Sequence, residues 1–137
     1  MKKLIKWIVV ILWMTIIFFL SNEKGSDSLN ESNTLLLIIS NIIKVDLNTP
    51  FWIFVIRKLA HFVEFGILAI LVLSLIKEYK DITFNDYIYT LIFVLVYSIS
   101  DEFHQLFVEN RGPSIKDVLI DTSGGIIFLL LKGLKRK

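Results

Sequence analysis

Apolar residues along this chain come in long blocks, not in the short alternating runs of half-buried strands. The first block, Leu4 to Leu20, is just long enough to cross a hydrocarbon layer of about 30 Å as a helix. Ser21 to Thr34, rich in Ser, Asn and charge, reads as an exposed loop. Leu35 to Val45 is apolar again but interrupted by Ser40, Asn41 and Lys44. Its eleven or so residues rise only about 16 Å as a helix, so residues 35–45 are predicted to lie in the interface or re-enter. A second helix starts clearly, with Thr49 at the N-cap and Pro50 at the first helical position, where its missing N–H costs nothing. It continues to about Ile76, roughly 40 Å, so its first turns should sit among headgroups. Thr83 and Asp86 form an acidic capping box for a third helix, predicted over 84–107. Ser114 and Asp117 repeat that spacing before a fourth, predicted over 115–131. The pattern predicts an all-α integral membrane protein with about four transmembrane helices plus one short interfacial or re-entrant helix, in a single domain over 1–137.

Composition sharpens this picture. Of 137 residues 55% are hydrophobic and the mean hydropathy is +0.68, above the roughly 45–50% apolar content of soluble domains. A net charge of +2 without a basic stripe excludes nucleic acid as a partner. The absence of cysteine excludes disulfides, thiol nucleophiles and thiolate metal sites. Lys2, Lys3 and Lys6 ahead of Trp7 to Leu20 look like a signal peptide, but Phe18-Phe19-Leu20-Ser21-Asn22 offers no small-x-small cleavage site, so an uncleaved helix is expected. With the N-terminus inside, four spans put nine of the fifteen Lys and Arg on the inner side (Lys2, Lys3, Lys6, Lys77, Lys80, Lys132, Lys135, Arg136 and Lys137). The outer side keeps Lys24, Lys44, Arg57, Lys58, Arg111 and Lys116, and both termini are predicted to be cytoplasmic.

Candidate chemistry sits in or beside the apolar blocks. Arg57, His61 and Glu64 share a helical face, with Lys58 beside them; Asp101, His104 and Gln105 share another, next to Glu102; Asp117 and Asp121 share a third, preceded by Arg111. An ionisable side chain facing lipid costs roughly 2.5–3.5 kcal/mol even on the lenient insertion scale, so these faces should point inward and meet near the outer side of the bilayer. Each has a plainer reading. Asp117 could only cap its helix, His61 could be a packed, hydrogen-bonded histidine, and Arg57 with Glu64 could be a structural pair. Gly124-Gly125 fits close helix packing.

The same residues carry a resemblance. Arg57-Lys58-x-x-His61-x-x-Glu64-x-Gly66, Ser100-Asp101-Glu102-Phe103-His104-Gln105-x-Phe107 and Arg111-x-x-Ser114-x-x-Asp117-Val118-x-x-Asp121-x-x-Gly124 are similar in order and spacing to the VanZ-like family of bacterial membrane proteins. Phe19-Leu20-Ser21-Asn22 resembles that family's Phe-Ser-Ser-Gln element, with Asn22 where glutamine is common, and Glu109-Asn110 replaces a frequent Pro-Gly. The resemblance implies an integral protein of the bacterial cell envelope, linked in the family's namesake to teicoplanin and lipoglycopeptide susceptibility, and it implies no reaction.

A binding role leads: Arg57, Lys58 and Arg111, with Glu64, Gln105, Asp117 and Asp121 around them, could hold the phosphate of a membrane lipid or lipid-linked envelope precursor. An enzyme on such a substrate is the alternative, with His104 as acid or base oriented by Asp101, and with Glu102 and His61 nearby. His61, Glu64, Asp117 and Asp121 could then hold a hard divalent cation. There is no serine elbow, two-histidine zinc motif or phosphate loop to force that chemistry. Assembly and transport roles stay open, and the oligomeric state is not legible.

Overall fold

The computed structural model describes residues 1–44, 47 and 49–134. Among them the chain forms five helices and no strand: α1 (Lys2–Ser21), α2 (Gly25–Ile43), α3 (Pro50–Ile76), α4 (Phe84–Gln105) and α5 (Ile115–Leu134). The all-α class holds.

The helix starts show why the chain folds locally as it does. Thr49 accepts a hydrogen bond from the Trp52 N–H, with Pro50 opening α3. At α4 both halves of the Thr83–Asp86 capping box are formed. At α5 the expected box is not what forms. The Asp117 carboxylate is held by Lys58, and the Ser114 N–H donates instead to Glu102 at 2.6 Å. A carboxylate from a neighbouring helix thus caps α5, and Asp117 is released for a long-range pair.

Residues 21–34 are not a loop. Only a short turn separates α1 from α2, and the expected short segment 35–45 is the second half of a 19-residue helix; Val45 lies outside the described residues. The Ser32 and Thr34 hydroxyls donate to carbonyls one turn back, at Ser28 and Asn30, so these residues satisfy themselves within a helix. Gly25, Ser32 and Leu36 form the buried face. α4 ends at Gln105, short of 107, in a series of turns, whereas α5 extends past 131 to Leu134. There Lys132 donates to the Ile70 carbonyl and Ser74 hydroxyl of α3.

α3 is the hub. Phe65, Leu68, Ala69, Val72 and Leu73 pack with Val10 and Ile17 of α1, Val94 of α4 and Leu129 of α5. The α3–α5 contact is close because a Cβ at Gly124 would run into the Phe62 carbonyl, and one at Gly66 into the Phe128 ring. Contacts fix the directions. α3 and α5 run parallel, matched from Lys58–Asp117 to Ile70–Lys132. α1 runs against α3, with Trp7 donating to Tyr79 at one end, and alongside α4, with Ser21 donating to Asp101 at the other.

α1 and α3 are each long and apolar enough to cross a membrane; α4 and α5 are not, so four spanning helices are not established by length and composition. The reason is visible in α4, whose charges lie inside. It buries Asp86, Thr90, Ser98, Asp101, Glu102 and Gln105 and exposes Phe84, Ile88, Ile92, Val96, Ile99 and Phe103. That is the reverse of a water-soluble amphipathic helix.

Candidate functional site

The polar residues gather at the end of the bundle where α1 and α4 finish and α3 and α5 begin. α3 supplies Arg57, His61 and Glu64, the α1–α2 junction supplies Ser21 and Glu23, α2 supplies Ser28, Glu31 and Ser32, and the turn after α4 supplies Arg111. All line one cavity of about 180 Å³. Two of the lining groups lie outside the membrane-length helices and are perturbed. Burial and then the like charge of Glu31 hold the Glu23 carboxyl above its ordinary range, against the pull of Arg111. Burial and then the like charge of Arg57 lower the Arg111 guanidinium, which nonetheless stays protonated. The two guanidiniums line the same cavity. Arg111 donates from Nη1 to the Ser21 carbonyl, its buried Nε finds no partner, and Arg57 makes no hydrogen bond or ion pair with any described residue.

Behind this cavity lies a buried network. Asp101 accepts from Ser21 Oγ at 2.9 Å and from Gln105 at 3.2 Å, and Gln105 also donates to Ser21. Asp121, 0% exposed, accepts from Ser98 at 2.7 Å through one oxygen. Its other oxygen faces His61 Nδ1 at 3.6 Å, just beyond hydrogen-bond reach, and neither atom has another partner. Lys58 lies 2.6 Å from both oxygens of Asp117, away from the cavity lining.

The predicted residues thus divide. Arg57, His61, Glu64 and Arg111 share the cavity; Asp101, Gln105 and Asp121 support it; Lys58, Asp117 and Glu102 tie α5 to its neighbours. His104 stands apart, with Nε2 3.1 Å from Asn22 Oδ1 and its ring 4.4 Å from that of Phe18. Asp101 is hydrogen-bonded to Ser21 and Gln105, whereas His104 meets Asn22. Among the described residues no three His, Asp or Glu side chains are grouped to hold a metal ion. Asp117 is turned to Lys58 and Asp121 to Ser98 and His61, so the expected cation set does not converge.

Sequence reasoning missed Ser21, Glu23, Ser28, Glu31, Ser32 and Ser98. The available signal was the spacing of Gly25, Ser28, Ser32 and Leu36, small or apolar residues on one helical stripe.

The VanZ/LLP1 family matches residues 6–135, nearly the whole chain. The chain belongs to the VanZ-like family. No curated protein and no solved structure matches it. Membership links the chain to glycopeptide resistance, and together with the two apolar helices it supports a membrane location. The two departures from the family pattern now have structural meaning. Asn22 partners His104, and Asn110 takes the left-handed backbone, φ 58°, that the family's frequent glycine adopts most readily. Glu109 beside it pairs with Lys24 at 2.8 Å, while its carbonyl accepts from the Gly25 N–H, fastening the α4–α5 turn to the start of α2.

Proposed function

We propose that this VanZ-like protein is a multi-pass protein of the bacterial cell membrane that binds an anionic envelope lipid or lipid-linked precursor. Arg57 and Arg111 hold its phosphate in a cavity near the outer leaflet. One observation carries this reading: two guanidiniums face one cavity, and Arg57 has no ion pair there with a described residue. An oxyanion between them would relieve their repulsion, and the planar fork suits phosphate. Four spans are supported by α4, whose apolar side chains face outward along its length while its acids are buried. The excess of Lys and Arg on the other side orients both termini to the cytoplasm.

Lysine keeps the charge and loses the fork. Arg57→Lys and Arg111→Lys should therefore lose co-purifying phospholipid nearly as completely as the alanine variants. Lysine variants that keep the wild-type lipid content would reduce the arginines to charge balance. An alkaline-phosphatase fusion at the C-terminus should be inactive; strong activity would overturn the orientation.

A second reading draws on His61, which lines the cavity with Asp121 behind it. A histidine backed by a buried carboxylate can take up and return a proton, which would make the chain an enzyme on the same lipid class. Purified protein that turns over no envelope lipid, with or without divalent metal, removes this reading.

A further inference from the structure

The lining of the cavity is not only cationic. Glu23, Glu31 and Glu64 place three carboxyl groups, with His61, in the same lining as the two guanidiniums of Arg57 and Arg111. The signs are also segregated by element. Arg57 comes from α3 and Arg111 from the turn after α4, whereas Glu23 and Glu31 both come from the α1–α2 junction and α2, facing the same space with the hydroxyl-bearing Ser28 and Ser32.

We propose that the cavity takes a zwitterionic phospholipid headgroup, with the phosphate at Arg57 and Arg111 and a primary ammonium between Glu23 and Glu31; this rests on the phosphate reading above and narrows its headgroup from anionic to zwitterionic. The ammonium can donate to both carboxyl groups. It also relieves the like-charge contact between Glu23 and Glu31, which helps hold the Glu23 carboxyl above its ordinary range. A lipid is favoured over a free phosphoamine by the neighbouring space. Arg57 also lines a second cavity of about 240 Å³, walled by Leu29, Ile53 and Phe54, which sets apolar surface for an acyl chain beside the phosphate position.

The test uses the full chain in detergent micelles, titrated by native mass spectrometry with phosphatidylethanolamine, phosphatidylcholine and phosphatidylglycerol of equal acyl chains, and with soluble O-phosphoethanolamine. Phosphatidylethanolamine should bind about tenfold more tightly than phosphatidylglycerol, the scale of one charge-assisted hydrogen bond. Phosphatidylcholine, whose ammonium carries no N–H, should fall below phosphatidylethanolamine. Glu31→Gln, at an exposed position, should erase the preference while keeping the wild-type melting temperature in detergent, which reports that the variant is folded. Three results would overturn the proposal: phosphatidylglycerol binding as tightly as phosphatidylethanolamine in the wild type, a preference untouched by both Glu23→Gln and Glu31→Gln, or O-phosphoethanolamine matching the lipid. The first two leave arginine-dependent phosphate binding standing. If no phospholipid binds at all, the phosphate reading fails as well.

Discussion

The two sides of α3 carry similar residues and use them differently. Toward α5 the helix is closed: Lys58 is paired with Asp117, His61 faces Asp121, Gly124 lies on the Phe62 carbonyl, and Lys132 reaches Ile70 and Ser74. Toward α2 it is open, and Arg57, His61 and Glu64 look into a cavity. A buried charge is weak evidence of function when a neighbouring element satisfies it, because the pair only recovers its own desolvation. It becomes evidence when the partner is space shaped for something else. Family membership alone could not have separated Asp117 from Arg57; their surroundings do.

The closed side should break first and most completely. Gly124→Val pushes a branched side chain into backbone that has no rotamer to move, so the cost should exceed the usual 1–3 kcal/mol or so of overpacking. Little monodisperse protein should be recovered from membranes by size exclusion. Gly133→Val is the control, since a Cβ there meets nothing within 4 Å, and it should be recovered normally. Equal recovery of the two variants would mean that the α3–α5 contact is not tight.

Asp121→Ala comes next. It leaves the Ser98 hydroxyl buried without its acceptor and removes the carboxylate that faces His61, a loss of roughly 1–3 kcal/mol, and should lower the melting temperature in detergent. Asp121→Asn keeps an acceptor for Ser98 and should lose less. An unchanged melting temperature in Asp121→Ala would move Asp121 from the closed side of the comparison to the open one, and would strengthen the His61 acid–base reading.

What could be read in the sequence follows the same division. The starts of α3 and α4 were legible because Thr49-Pro50 and Thr83–Asp86 act within a few residues of each other. That the polar faces meet was legible from the cost of charge in lipid. Their pairings were not, because a pairing depends on how one helix is shifted along another. Nothing in the spacing of Asp101 and His104 says that Asp101 will meet Ser21 of α1 while His104 meets Asn22. α2 was hidden for a different reason. Ser, Asn and Glu between Ser21 and Thr34 carry loop propensity, and the contact of Gly25 with the Glu109–Asn110 turn and the burial of Ser32 and Leu36 are tertiary features that spacing alone does not announce. Five of the thirteen residues lining the cavity therefore escaped the sequence reading with that one segment.

The smallest stability effect belongs to the open side and is the sharpest test of it. Arg57 makes no hydrogen bond or ion pair with a described residue, so Arg57→Ala forfeits only the packing of its half-buried stem. In delipidated detergent the variant should melt within a degree or two of the wild type, as for substitutions away from packed features, which stay within about 0.5 kcal/mol. Added phospholipid should then separate the two proteins. A ligand that binds only the folded state stabilises it in proportion to the logarithm of its saturation, about 2.7 kcal/mol at a hundredfold excess over Kd. The wild-type melting temperature should rise with lipid concentration while that of Arg57→Ala stays nearly flat. Two outcomes would break the comparison. If Arg57→Ala is already destabilised without lipid, Arg57 belongs with Asp121 in the structural half of the molecule. If both proteins respond equally to lipid, the stabilising site lies elsewhere on the apolar surface and the cavity is not where lipid acts.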